Sequence, residues 1–392
     1  MSSDWYHRAK LNLYLKEQYM KTRRQGKEAA AKYEPEADRI YIGTYDGRYN
    51  CNPKYLVEEI RKRNLPFHIV WGVPDDGKYR ETFPEQVKVI RQGSSEMYRE
   101  MARAKFWIDN GISCTWFGMP RKPEQVYLDT FHGSMGIKRL YSWQLEADKK
   151  RRITVPDLFL TNSTFEEWVF QNSYWPGVPH LPYGHARNDI LLDRERMREI
   201  KSRILQKYAL PEDRQLLLYA PTFRDNGDAI SYTLAYDRLR NVLSEKFGGE
   251  WTVLIRAHWR ELDRVRNLEN SDGIVNVSFY PDMQELLCAA DAGLTDYSSW
   301  AYDYVLTGKP LFLYVYDFDA YRDMRGLYYP LDETPFPICR TEDEIMQAVR
   351  RYDPEVYKAE CENFLKARGC YEDGHAAERT VNWIWEKRQS AS

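Results

Sequence analysis

No apolar run in this sequence approaches the ~20 residues that a membrane-spanning helix needs, and the first residues, Met1-Ser2-Ser3-Asp4-Trp5-Tyr6, lack the apolar core of a signal peptide. A chain that stays in the cytoplasm is the expectation. Six cysteines are scattered singly with no CxxC spacing, which excludes the dense disulfide framework of a small secreted domain and leaves reduced thiols. The 57 Lys and Arg nearly balance the 59 Asp and Glu, so no global field marks nucleic acid as the partner. Short repeats and low-complexity tracts are also missing, which argues against a solenoid.

What remains is a chain of 392 residues with 43% apolar content, enough for two ordinary domains. Charge is distributed unevenly near the start. Residues 1–32 carry eight Lys and Arg against three Asp and Glu, an excess of five positive charges on a stretch that reads as helix from Trp5 to Lys32. Such a helix suits an anionic membrane surface, and it equally suits a solvated helix packed on the first domain.

Beyond Pro35 short apolar strands alternate with helical stretches. Strands are expected at Arg39 to Gly43, Phe67 to Trp71, Lys105 to Asp109, Gln125 to Asp129 and Leu158 to Thr161, with helices at Pro53 to Asn64 and Ser94 to Ala104. The alternation restarts with strands at Arg214 to Tyr219, Trp251 to Ile255, Ile274 to Val277, Ala292 to Thr295 and Pro310 to Tyr314, and helices near Tyr236 to Phe247 and Asp282 to Ala290. The fold class is therefore α/β: two Rossmann-like, doubly wound domains facing across a cleft. The expected division is a basic N-terminal helix over 1–32, a first domain over 33–205 and a second over 206–392. The last helix is a candidate to pack back on the first domain.

Ligands of open parallel sheets collect beyond the carboxyl ends of the strands, and the polar segments of this chain lie there. In the second half, Thr295-Asp296-Tyr297-Ser298-Ser299 joins a strand end to a helix start, where hydroxyls and backbone N–H groups suit phosphate. Taken alone it also reads as a serine cap with no ligand. Arg256 and His258 follow another strand and alternate onto one face, where a guanidinium and an imidazole can meet an anion. Thr222 and Arg224 follow a third, as nucleotide or phosphate contacts or as a proline turn with a surface salt bridge. In the first half, Asp129-Thr130-Phe131-His132-Gly133-Ser134 places His132 as a candidate base, with Gly133 allowing close backbone approach and Lys138 supplying charge. Arg187 and Asn188 close that domain, with turn chemistry as the simpler reading. Asp317 and Asp319 have the spacing of a metal–diphosphate site, yet two carboxylates are a weak signal; no metal is assigned, no cofactor is expected with certainty, and a divalent ion is left open.

Together these segments resemble the CDP-glycerol glycerophosphotransferase family of teichoic acid and capsule synthesis. The likeness runs from about Asp129 to Arg379 and is densest in Tyr280-Pro281-Asp282-Met283-Gln284-Glu285-Leu286-Leu287, Thr295 to Ser299, Asp303-Tyr304, Lys309-Pro310 and Arg325-Gly326. The resemblance implies a GT-B arrangement, a CDP-glycerol donor held by the second domain and a lipid-linked or glycan acceptor approaching over the first. It implies His132 and His258 as catalytic residues. Thr222, Arg224, Arg256, Thr295, Asp296, Ser298, Ser299 and Asp303 fall on the donor side, and Gly133, Ser134, Lys138, Arg187 and Asn188 on the acceptor side. Two departures stand out: Phe131-His132-Gly133-Ser134-Met135-Gly136-Ile137-Lys138 where the family has Trp-His-Gly-Thr-Pro-Leu-Lys, and Gly184-His185-Ala186-Arg187 where it has Gly-Tyr-Pro-Arg. Both fall on the acceptor side, so the acceptor or the polyol can differ from the family norm. A nucleotide-sugar glycosyltransferase and a non-catalytic nucleotide-binding scaffold remain the alternatives.

Overall fold

The structure is a computed structural model that describes residues 22–111, 113–140, 154–224, 232, 234–258, 261–266, 270–271 and 273–389. Of the expected N-terminal helix, residues 22–32 are helical, and the part before Thr22 lies outside the described residues.

The first sheet comprises β1 (Glu36–Gly43), β2 (His68–Val73), β3 (Lys88–Arg91), β4 (Ala104–Asp109), β5 (Val126–Asp129), β6 (Leu158–Leu160) and β7 (His180–Leu181). The second comprises β8 (Gln215–Tyr219), β9 (Trp251–Ile255), β10 (Ile274–Asn276), β11 (Ala292–Thr295), β12 (Leu311–Tyr314) and β13 (Ile338–Cys339). Every pairing is parallel, in the orders β3-β2-β1-β4-β5-β6-β7 and β10-β9-β8-β11-β12-β13. Central strands of such sheets are covered on both faces and need continuous apolar sequence. Accordingly Ala104-Lys105-Phe106-Trp107-Ile108-Asp109 and Trp251-Thr252-Val253-Leu254-Ile255 are buried at every position.

Several helix starts are fixed by side-chain caps that satisfy otherwise unpaired amides. Ser94 Oγ accepts from Met97 N at 3.1 Å, Asp193 Oδ1 from Glu195 N at 3.1 Å, and Asp282 Oδ1 from Gln284 N at 3.0 Å. The three strands that the sequence pattern does not announce, β3, β7 and β13, are short and lie at sheet edges, where the neighbouring strand imposes extended backbone on a segment with little pattern of its own.

The two halves are tied together closely. Arg187 Nε and Nη2 donate to the Asp303 carboxylate at 3.0 and 3.1 Å, and Asn188 and Gln284 side-chain amides complete that carboxylate at 3.0 and 2.9 Å. Lys54 pairs with Asp282 at 2.5 Å and with Glu285 at 2.8 Å, and Tyr55 Oη donates to Asp282 at 2.8 Å. Backbone joins the halves as well, through Arg139 N to Gly326 O at 3.1 Å and Tyr328 N to Ile137 O at 2.7 Å. The final helix, Ala376–Gln389, returns to the first sheet, where Lys105 Nζ donates to the Lys387 carbonyl at 2.5 Å and Phe67 meets Trp385 edge-on at 5.9 Å.

In both sheets the strand order reverses beside the first strand, between β1 and β4 and between β8 and β11. The crevices at those two switch points receive the loops that carry the polar segments.

Candidate active site

A cavity of about 960 Å³ lies between the carboxyl ends of the two sheets. Loops after β1, β4 and β5 line one wall, and loops after β8, β9 and β11 line the other. His132, Gly133, Ser134, Lys138, Arg187, Thr222, Arg256, His258, Ser298, Ser299 and Asp303 all reach it, so residues spread over most of the chain converge as the motifs suggest.

His132 is held by unusual local backbone. Phe131 adopts φ 52°, a left-handed conformation that costs a non-glycine residue roughly 1–2 kcal/mol, and Asp129 Oδ1 secures it by accepting from Phe131 N at 2.8 Å. Gly133 permits the bend, since a Cβ there would stand 2.4 Å from the Phe131 ring. The Phe131 ring anchors the loop against Phe170 at 5.0 Å.

The imidazole itself lies between Tyr45, at 4.5 Å, and Phe131, at 5.0 Å between ring centroids. Its Nδ1 is 2.5 Å from the Asn110 carbonyl oxygen. A carbonyl can only accept, so Nδ1 carries the proton and Nε2 presents a lone pair. Enclosure by the cleft walls pushes the pKa down to about 4, against the upward pull of the Asn110 contact and with Arg187 adding to the fall. The ring's surface stays open to the cavity, and the direction follows from that setting: His132 is neutral at pH 7.

Across the cleft Ser298 and Ser299 precede the helix Trp300–Tyr304. Ser299 occupies the position before that helix yet makes no capping hydrogen bond, so the simple capping role does not hold. The Cβ of Ser299 lies 3.6 Å from where a Cβ on Gly136 would be, which brings the two opposing loops to contact distance. Arg256 and His258 lie just past the end of β9, in the loop rather than on the strand's alternating face. Arg256 Nη1 donates to the Tyr280 carbonyl at 2.7 Å, and His258 stacks on Phe223 at 5.5 Å and 27°. Enclosure lowers the Arg256 pKa, and the neighbouring Arg48 lowers it further.

Other candidates support the cavity from behind. Thr295 Oγ1 donates to the Ala220 carbonyl at 2.8 Å, and the Asp296 carboxylate accepts from Thr222 N at 2.8 Å and Tyr297 N at 2.6 Å. Arg224 is buried, paired to Asp296 at 2.7 Å and doubly to Asp317 at 2.7 and 3.1 Å, beneath the stacked rings of Tyr297 and Tyr321. It is neither a surface salt bridge nor open to a ligand: two carboxylates consume the guanidinium and fix the loops after β8, β11 and β12. Asp303, Arg187 and Asn188 form the buried interdomain cluster, so one candidate from the donor side and two from the acceptor side turn out to be partners of one another. Ser134 Oγ accepts from the Asn162 amide at 2.9 Å. Asp317 is occupied by Arg224 and by Tyr297 Oη at 3.1 Å, and Asp319 pairs with Arg322 at 3.1 Å. Among the described residues no group of three His, Cys, Asp or Glu side chains gathers as a metal site.

Tyr45, Asp46 and Arg48, in the loop after β1, also line the cavity, although no motif in the sequence marks them. The signal available was the position itself, a polar loop following the first strand of a parallel sheet.

A family model described as CDP-Glycerol:Poly(glycerophosphate) glycerophosphotransferase matches residues 32–386, nearly the whole chain. The chain belongs to that family. Among family relatives, a teichoic acid glycerol-phosphate transferase of Staphylococcus aureus (strain NCTC 8325 / PS 47) is 27% identical, covering 90% of this chain and 94% of its own. A teichoic acid glycerol-phosphate primase of Bacillus spizizenii (strain ATCC 23059 / NRRL B-14472 / W23) is 31% identical over 86% of this chain and 90% of its own. A teichoic acid poly(glycerol phosphate) polymerase of Bacillus subtilis (strain 168) is 26% identical over 88% of this chain; the chain spans about half of that relative, 48%. Among solved structures, a single-residue variant of the wall teichoic acid polymerase TagF superposes with TM-score 0.79 over 99% of both chains at 23% identity. A TagF variant soaked with CDPG gives 0.81 over 98% of this chain and 97% of that one at 22% identity. At those identities the likeness bears on the fold, which is shared from end to end.

Proposed function

We propose that this chain transfers glycerol phosphate, or a related polyol phosphate, from a CDP-linked donor to an acceptor hydroxyl with release of CMP, a reading in keeping with the family's description as a CDP-Glycerol:Poly(glycerophosphate) glycerophosphotransferase. The observation that carries the reading is one cavity with a neutral imidazole on one wall, Nε2 presented, and Arg256, His258, Ser298 and Ser299 on the other. In this reading the two sheets form a GT-B pair, with residues 33–205 as the acceptor domain and 206–392 as the donor domain.

The chemistry follows from the charges. The acceptor hydroxyl gives its proton to His132 Nε2 as its oxygen bonds to the phosphorus bearing the polyol. The bond from that phosphorus to the bridging oxygen breaks, and the electron pair leaves with CMP. Arg256, His258, Ser298 and Ser299 neutralise charge accumulating on the diphosphate, where phosphoryl transfer needs most help. Arg224, Thr295 and Asp296 hold the loops that present them.

An acceptor on a lipid carrier would bring the protein to the inner face of the membrane, and the basic stretch over 1–32 supports such attachment. No described helix is long and apolar enough to cross a membrane.

Donor class is tested by thermal shift with CDP-glycerol, CDP-ribitol and UDP-sugars. Stabilisation by CDP-polyols is the expected result. Stabilisation by UDP-sugars alone would assign the cleft to sugar transfer instead.

A further inference from the structure

Arg48 lines the cavity from the loop after β1, and its charge is felt by Arg256 in the loop after β9. The turn that carries it is tightly determined. Asp46 Oδ1 accepts from Arg48 N at 3.1 Å and Asp46 Oδ2 from the Asn50 amide at 2.9 Å, so that carboxylate is occupied within the turn. Tyr45 N donates to Asn110 Oδ1 at 3.1 Å, tying the turn to the loop that also orients His132. Gly47 has φ 69°, and a Cβ there would stand 2.1 Å from the Pro74 ring, so the turn depends on glycine. Asn50 reaches the second half through the Pro281 carbonyl at 3.4 Å, next to the Tyr280 carbonyl that receives Arg256.

The result is an arginine lining the cavity, with no side-chain hydrogen bond or ion pair among the described residues, close enough to Arg256 to depress its pKa. Two guanidinium groups lining one cavity repel, and the partial opposition of Tyr45, Asp282 and Asp46 does not remove that push on Arg256. A dianionic ligand between them converts the repulsion into two charge-assisted contacts. Ser298 and Ser299 line the same cavity.

We infer that Arg48 is a donor-binding residue contributed by the first domain, closing on the diphosphate of the CDP-linked donor from the side opposite Arg256. The inference rests on the functional reading above and adds to it that the donor is gripped by both domains. An acceptor phosphodiester offers the same chemistry, and the measurement must separate the two.

The test is equilibrium binding of CDP-glycerol and of cytidine, without acceptor, to wild type, Arg48→Ala and Arg48→Lys, with unfolding temperatures recorded. The expected result is a Kd for CDP-glycerol weakened about 10- to 100-fold in Arg48→Ala and less in Arg48→Lys, with cytidine affinity and unfolding temperature unchanged. Unchanged CDP-glycerol affinity in Arg48→Ala, with or without a raised acceptor KM, overturns the inference and leaves the functional reading standing. A wild-type protein that binds no CDP-glycerol overturns both.

Discussion

His132 illustrates how much a single contact decides. Because Nδ1 is committed to the Asn110 carbonyl, the ring has one tautomer and one lone pair to offer. Replacing His132 with Ala should leave CDP-glycerol affinity within about twofold while slowing CMP release by about 10²- to 10⁴-fold, read by stopped assays under saturating donor and acceptor. CMP release at the wild-type rate would remove the base from the account. With its pKa depressed to about 4, the free enzyme's imidazole stays neutral throughout the range where an ordinary histidine titrates. The acid limb of kcat/KM therefore lies well below the ordinary value of 6.5, with activity lost only as pH falls through the lower pKa, and a midpoint near 6.5 would contradict the assignment. At this scale the sequence told residue type and position along the chain, but not partnership. Arg224 looked like a phosphate contact because it follows a strand; its carboxylates come from 72 and 93 residues away, and no local pattern reveals them. Ser299 looked like a helix cap and makes no capping bond.

The elements that matter most for stability are those that lock the halves together. Arg187 is 2% exposed with its guanidinium shared between Asp303 and the Gly133 carbonyl. Removing one member of a buried ion pair strands the other, so Arg187→Ala should cost about 3–5 kcal/mol in urea unfolding and Asp303→Asn should also destabilise. Arg187→Ala with wild-type stability would mean that the interface does not rest on this cluster. Glu372 adds a pH dependence. It accepts from Asn188 at 2.8 Å, and burial, with Asp303 and Asp189 nearby, pushes its pKa from the ordinary 4.5 to about 8. Between those values the folded chain holds a proton that the unfolded chain releases, so stability present below pH 4.5 is lost as pH rises through 8. Glu372→Gln should flatten that decline in unfolding curves taken at about pH 5, 7 and 9; an unchanged slope would assign the titration elsewhere. Most strands were legible because buried parallel strands demand unbroken apolar sequence, as at Trp251 to Ile255. The edge strands β3, β7 and β13 were not, since only a neighbour's hydrogen bonds define them.

For the molecule as a whole, two parallel sheets with their switch points face to face make a cleft whose walls differ in character. One offers a neutral imidazole with Arg48 in the neighbouring loop, and the other offers Arg256, His258 and the hydroxyls of Ser298 and Ser299. That asymmetry suits an acceptor hydroxyl meeting an anionic donor. The sequence foretold the cleft, because polar segments after successive strands must converge in this topology, but not the loop after β1 that supplies Arg48. If residues 1–32 bring the enzyme to anionic lipid, vesicles containing acidic phospholipid should sediment the full chain and not a chain starting at Tyr33; equal sedimentation of both would free that stretch from the role. The central claim is tested most directly by incubating the protein with CDP-glycerol and a polyol-phosphate-primed acceptor, following CMP and product mass together. The account predicts CMP in step with acceptor gaining glycerol phosphate units; donor left intact with every acceptor and CDP-polyol, or turnover of a nucleotide sugar in its place, would contradict it.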